Sequence, residues 1–191
     1  NTMYQRCFLL HPFPYGSSFF SHFFYNKQVL VGTFRFTKIG NQKVQVIFMA
    51  LDGFVISNIV AELNNTILNA RISKIAQPEN DELLFTLKGQ NGQYRLAVSA
   101  SASLPFLYLT ANNKPSPLTA PNFCMLLRKH IANGRIVKIY QPHMERIIHF
   151  DIEHLDELGD LCQKTLIVEL MGKHSNIIFC NSDGMILDSI K

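Results

Sequence analysis

Apolar side chains recur at helical spacing from Val55 onward. Val55, Ile56, Ile59, Val60, Leu63 and Ile67 fall on one face, with Asn58, Glu62, Asn65 and Asn69 opposite. Asp52 stands at the N-cap position, so the pattern predicts an amphipathic helix of about 16 residues. Asn64-Asn65-Thr66 matches a glycosylation sequon, but it lies inside that helix. A second helix is predicted over the decapeptide N-F-C-M-L-L-R-K-H-I, with Asn122 as N-cap and Gly134 as stop. Phe123, Leu126, Leu127, His130 and Ile131 share its inward face, while Arg128 and Lys129 point away as adjacent cations.

An octapeptide follows each helix. Arg71-Ile72-Ser73-Lys74-Ile75-Ala76-Gln77-Pro78 returns 64 residues later as Arg135-Ile136-Val137-Lys138-Ile139-Tyr140-Gln141-Pro142. Each copy leads into an apolar run, over residues 83–87 and 147–152. The expectation is a helix, a strand, a Gln-Pro turn and a second strand, made twice; proline fixes φ and removes a ladder donor. Arg and Lys recur in both copies, which a turn alone does not require.

Between the copies, Gly89-Gln90-Asn91-Gly92 reads as a hairpin turn into residues 94–99, and residues 104–110 as a further strand. Residues 112–121 hold three prolines and read as a loop. Residues 153–160 read as an acidic linker. Strands are then expected over residues 164–170 and 176–180, joined by Met171-Gly172-Lys173-His174-Ser175. A turn at Asn181-Ser182-Asp183-Gly184 leads into residues 185–190. More chain is expected after Lys191.

Residues 1–48 follow a different grammar. They hold nine of the 15 phenylalanines, five cations and no Asp or Glu, and show no sustained period. The preferred reading is upstream sequence translated from a misplaced start, with Met49 as the natural first residue. A targeting segment, or a small β element over residues 29–36, are the alternatives.

Composition changes this picture little. The chain is 47% hydrophobic and 17% charged, an ordinary globular balance with no apolar run long enough for a membrane helix. The net charge of +4 is misleading, because residues 49–191 carry 13 cations against 14 acids. Polyanion binding would therefore come from local patches. Cys7, Cys124, Cys162 and Cys180 form no C-x-x-C pair, which points to a reducing, cytoplasmic setting.

A search for catalytic chemistry finds no G-x-S-x-G, P-loop, H-E-x-x-H or G-x-G-x-x-G. His143, His149 and His154, with Asp151 and Glu153, match no standard metal spacing, and no cofactor is expected. Cys124 and His130 stand six apart and do not form a nucleophile–base pair. The stronger candidate is Glu145-Arg146, just after the second Gln-Pro, whose counterpart by count is Asp81-Glu82. A planar guanidinium suits phosphate or a base edge, and a neighbouring carboxylate can orient it. As a mere surface ion pair the dipeptide would be worth under about 1 kcal/mol.

From Met49 to the end the chain resembles the NFACT N-terminal domain of the ribosome quality-control family, long labelled fibronectin-binding proteins. The resemblance rests on M-A-L-D-G-F, R-I-S-K-I-A-Q-P, N-F-C-M-L-L-R-K-H-I and V-E-L-M-G-K-H-S-N-I-I, and none of the first 48 residues take part. It implies an α+β fold, a β-sandwich with flanking helices similar to the N-terminal domain of formamidopyrimidine-DNA glycosylases. It also implies binding to the 50S subunit with a stalled nascent chain, and recruitment of alanyl-tRNA for alanine tailing without mRNA. The family's Asp-Arg pair falls on Glu145-Arg146, so here the carboxylate sits on a longer arm. Base excision is disfavoured, since Ala50 stands where a glycosylase keeps its proline nucleophile. RNA contacts are expected from Arg146, Glu145, Arg128, Lys129, Lys173, Arg135 and Lys138, in a domain that is not itself an enzyme. The competing expectation is an adhesin that binds fibronectin.

Overall fold

The computed structural model describes residues 51–156 and 158–191; the readings of residues 1–48 lie outside the described residues. The first helix, α1 (Gly53–Ile67), opens as expected, with the Asp52 carboxylate accepting from the Val55 amide at 2.9 Å. Its buried face is Ile56, Leu63 and Ile67. The second helix, α2 (Asn122–Ile131), buries Phe123, Cys124, Leu127 and Ile131. Its cap differs from expectation: Pro121 occupies that position with no side-chain hydrogen bond, and Asn122 is already helical. Nor does Gly134 make the stop. Asn133 takes the left-handed φ of 64°, as Asn69 does after α1. Gly134 is needed for space instead, since a Cβ there would lie 2.8 Å from the Ile152 side chain.

Among the described residues nine strands form one antiparallel sheet: β1 (Arg71–Glu79), β2 (Glu82–Gly89), β3 (Gly92–Ser99), β4 (Phe106–Leu109), β5 (Arg135–Tyr140), β6 (Ile147–Leu155), β7 (Leu161–Glu169), β8 (Asn176–Cys180) and β9 (Ile186–Ser189). The order is β4-β3-β2-β1-β5-β6-β7-β8-β9, two meanders joined where β1 meets β5. That junction is a local two-fold axis relating the octapeptides. Arg71 sits opposite Arg135. Asn69 N–H donates to the Ile136 carbonyl at 2.8 Å, mirrored by Asn133 N–H to Ile72 at 2.9 Å. Ile72 N–H to Gly134 at 2.8 Å is mirrored by Ile136 N–H to Ala70 at 3.0 Å.

Each helix crosses to the other half, α1 packing on β5 and α2 on β1. Asn64 Nδ2 donates to the Ile139 carbonyl at 2.9 Å, and Arg128 Nε does the same to Ile75 at 2.8 Å. The two pairs are again 64 residues apart, so Arg128 and Asn64 are the same brace made twice.

The expected two-sheet sandwich is a single sheet doubled over at this axis. Phe85, Leu87, Leu96 and Val98 of one half and Phe150, Ile152 and Leu166 of the other line one small void, with Ile72 and Ile136 between them. Burial of each such side chain stabilises the fold by roughly 1.5–3 kcal/mol. The result is an α+β domain.

Two further expectations are corrected. Residues 153–155 are not linker; they complete β6 and pair with β7, leaving the turn to Asp156 and its neighbours. There the Asp156 carboxylate accepts from the Asp160 amide and, with less effect, from the Leu158 amide, which holds its pKa below the ordinary value. The first Gln-Pro is also not a turn. It forms a bulge inside β1, which runs on to Glu79 before turning at Asn80-Asp81.

Candidate nucleic-acid interface

Strand pairing fixes how the two tips compare. Ala76 faces Leu84 across the first hairpin and Tyr140 faces His149 across the second, so seven residues close one tip and eight the other. By spatial position Arg146 therefore matches Asp81, and Glu145 matches Asn80; the counterpart taken from a constant offset is one residue out. The buried pairs Leu83 and Ile148, Phe85 and Phe150, Leu87 and Ile152 confirm this register.

The added residue opens the second tip into a loop. His143 takes φ 50°, and the Glu145 amide donates to the Pro142 carbonyl at 3.2 Å. Gln141 holds the loop to α1: its Nε2 donates to the Glu145 carbonyl at 2.7 Å and to the Gly53 carbonyl at 2.9 Å. Gly53 permits this approach, since a Cβ there would lie 2.1 Å from the Met144 carbonyl oxygen. The Leu170 amide donates to the Arg146 carbonyl at 2.9 Å, tying the loop to the end of β7. On this fixed backbone Glu145 and Arg146 are exposed, and Arg146's side chain has no hydrogen bond or ion pair among the described residues. Met144 of the loop and Phe54 of α1, 73% exposed, are exposed apolar side chains at this tip. Lys173, exposed in the 3-10 turn Gly172–His174, sits three residues beyond Leu170 at the same end of the sheet.

The remaining expected contacts are dispersed. Arg128 is half-buried and committed to the Ile75 carbonyl. Arg135 lies at the start of β5, paired with Glu153 at 2.9 Å. Lys138 places its ammonium 4.3 Å from the centre of the Tyr140 ring. Lys129 lies beside a depression also lined by His154, Cys162 and Lys164, at the far end of β6 from Arg146. Nine residues of strand put that end roughly 30 Å away.

The three histidines separate too. His143 is at the tip, His149 half-buried on the outer face, and His154 on the inner one. Among the described residues no group of three or more His, Cys, Asp or Glu is placed to hold a metal. Burial raises the Cys124 thiol pKa, against the nearby Arg128 charge, and leaves this thiol inert in the core. The bracing roles of Gly53 and Gln141 are not evident from the sequence, although both stand within recurring or family-like motifs. Gln77 offers the clue: it also donates to its own tip, to the Asn80 carbonyl at 3.0 Å.

Fold and tip together define a duplicated α+β domain whose second half carries a braced, arginine-bearing loop. The chain belongs to the family described as NFACT N-terminal and middle domains, which matches residues 52–191. It is 39% identical over 144 residues to the Rqc2 homolog RqcH of Bacillus subtilis, covering 75% of this chain and 25% of that protein. The archaeal Rqc2 homolog aRqcH of Methanocaldococcus jannaschii is 31% identical over 136 residues, covering 70% and 19%. Among solved structures, the N-terminal domain of the fibronectin-binding protein PavA from Streptococcus pneumoniae superposes with a TM-score of 0.72 at 37% identity, covering 74% of this chain and 54% of that one. The chain thus spans about a quarter of the length of the curated bacterial relatives it matches. Among the described residues no helix is long and apolar enough to cross a membrane.

Proposed function

We propose that this domain is the tRNA- and 50S-binding module of a cytoplasmic ribosome quality-control factor, and that it presents alanyl-tRNA to stalled complexes for alanine tailing without mRNA. In this reading the domain makes no bond itself; it positions RNA by shape and phosphate contacts. The doubled-over sheet with its two helices would be the arrangement found in glycosylase N-terminal domains, used here without base excision. The observation that carries the proposal is Arg146, a permanently charged fork without a partner among the described residues, on a loop whose backbone is fixed on three sides. The names of the relatives support the quality-control setting.

Filter binding of tRNA to the wild type and to Arg146→Ala tests it. A good bidentate contact contributes about 1–3 kcal/mol, so affinity should fall roughly 5- to 150-fold. A loss below about twofold would remove Arg146 from the interface. Glu145→Asp restores the family pair, and tighter tRNA binding by that variant would show that the longer arm is a handicap. The second reading, a surface adhesin, is favoured by the titles of solved neighbours, which call them fibronectin- or fibrinogen-binding. It predicts saturable fibronectin binding that Arg146→Ala leaves unchanged.

A further inference from the structure

No Asp or Glu occurs anywhere in residues 83–144. The register of β1, β2 and β3 gathers part of that acid-free stretch into one surface. Arg71 lies opposite Lys88, and Lys74 opposite Thr86, which in turn faces Arg95. Ile72, Leu87, Ile75 and Phe85, the residues that alternate with these, are buried, so all four cations stand on the outer face. Arg71, Lys74 and Lys88 are exposed and Arg95 is half-buried. Arg95 gives one guanidinium N–H to the Ala111 carbonyl at 2.9 Å; the other three make no ion pair among the described residues. Of the three carboxylates at the end of this half, Glu79 and Glu82 are engaged by Lys114, and Asp81 lies in the turn between them.

The corresponding face of the other half is neutralised: Arg135 faces Glu153 and Lys138 faces Asp151. At the positions matching Glu153 and Asp151 the first half carries Lys88 and Thr86, so the same two cations of the repeat meet no acid there. Like charges directly opposite one another cost stability, so an external anion is the natural complement.

We propose that the outer face of β1–β3 is a second RNA contact, separate from the arginine-bearing tip, in which Arg71, Lys74, Lys88 and Arg95 take successive backbone phosphates. That the polyanion is RNA rests on the function proposed above and on the surface itself. No residue of β1–β3 is an exposed large apolar side chain, so the aromatic or aliphatic anchor of a protein interface is missing. Arg71 and Lys88 face each other at ~5 Å, and roughly 7 Å along the strands Lys74 and Arg95 stand on either side of Thr86, ~10 Å apart, so the four side chains can take separate phosphates of one backbone. Ser73, Thr86 and Gln93 lie among them as uncharged hydrogen-bonding groups.

The test is tRNA binding to the full chain across a salt series, comparing wild type, Arg146→Ala, and the triple variant Arg71→Gln, Lys74→Gln, Lys88→Gln. The triple variant should lose at least tenfold in affinity at low salt. Its slope of log affinity against log salt should flatten by about 2, as for three lost phosphate contacts at ~0.7–0.9 each. The double variant Lys74→Gln, Lys88→Gln should lie between, with an unchanged thermal midpoint showing that the fold is intact. An unchanged slope with affinity within twofold overturns the proposal. So does a triple variant that loses binding to poly-glutamate while keeping tRNA, since the face would then serve an acidic protein. A weakened Arg146→Ala beside an unaffected triple variant sinks this face and leaves the tip standing; the opposite pattern sinks the tip alone.

Discussion

The two halves are built from one plan and diverge most at their tips. In the first, Asn80-Asp81 closes a tight turn between Glu79 and Glu82, and Lys114 from the proline-containing segment binds both carboxylates, at 3.2 and 2.7 Å. In the second, one added residue opens the turn, and α1 supplies the support through Gly53 and Gln141. The glutamine brace persists in both: Gln77 donates to Asn80 and Gln141 to the spatially equivalent Glu145. Framework and brace were retained while the charge at the end was exchanged. One tip gathers two of its carboxylates onto a single ammonium, and the other presents a guanidinium outward.

That equivalence is broken most directly in the core. Phe85→Ala and Phe150→Ala remove spatially matched rings, each almost fully buried. Each should cost about 3–5 kcal/mol in urea unfolding. Costs differing by more than about 2 kcal/mol would mean the halves do not share the core equally. Gly53→Ala comes next, because its Cβ would meet the Met144 carbonyl 2.1 Å away and push the second tip off α1. Overpacking of this kind costs about 1–3 kcal/mol, and tRNA affinity should fall with it. Full retention of affinity would show that the loop needs no such support. Then come the braces. Gln141→Ala leaves two carbonyls without their donor, whereas Gln77→Ala also removes a buried Oε1 that has no partner. We expect a loss of about 1–2 kcal/mol for Gln141→Ala and a smaller one for Gln77→Ala. The reverse order would contradict the tip geometry.

Much of this architecture was legible in the chain. Apolar spacing located both helices, and the repeated octapeptide announced the duplication before its axis could be seen. What failed had physical causes. The spacing points to Gly134 as the left-handed stop, because glycine is the commoner solution; asparagine tolerates the same φ, and Asn69 and Asn133 take it in both halves. Residues 153–155 looked like linker because Glu153 and His154 are polar, yet β6 buries His154 beneath α2 and turns Glu153 toward Arg135. Counting along the chain misplaces the counterpart of Arg146 because it cannot see the residue added in the second loop; only the ladder shows it. Arg128 looked solvent-directed on a helical wheel. Its reach to the Ile75 carbonyl required knowing that each helix lies on the opposite half. The basic face was invisible for the same reason, since its four cations come from three strands.

The smallest expected effect separates the halves by pH. Spatially, His149 takes the place of Leu84, a buried apolar residue. The His149 ring lies 4.9 Å from that of Tyr140, and its Nδ1 is 3.1 Å from the Tyr140 hydroxyl. Burial lowers the His149 pKa and the Lys138 charge lowers it further, against an opposing pull from Asp151. Below the ordinary value of 6.5 the unfolded chain therefore binds more protons here than the folded one. This residue's contribution is complete above that value and is eroded as pH falls toward the lower folded-state pKa. His149→Leu installs the first half's solution in the second. The gap between variant and wild-type urea midpoints should shift in the variant's favour from pH 7.5 to pH 5. A gap that stays constant would place the acid sensitivity of the second half elsewhere.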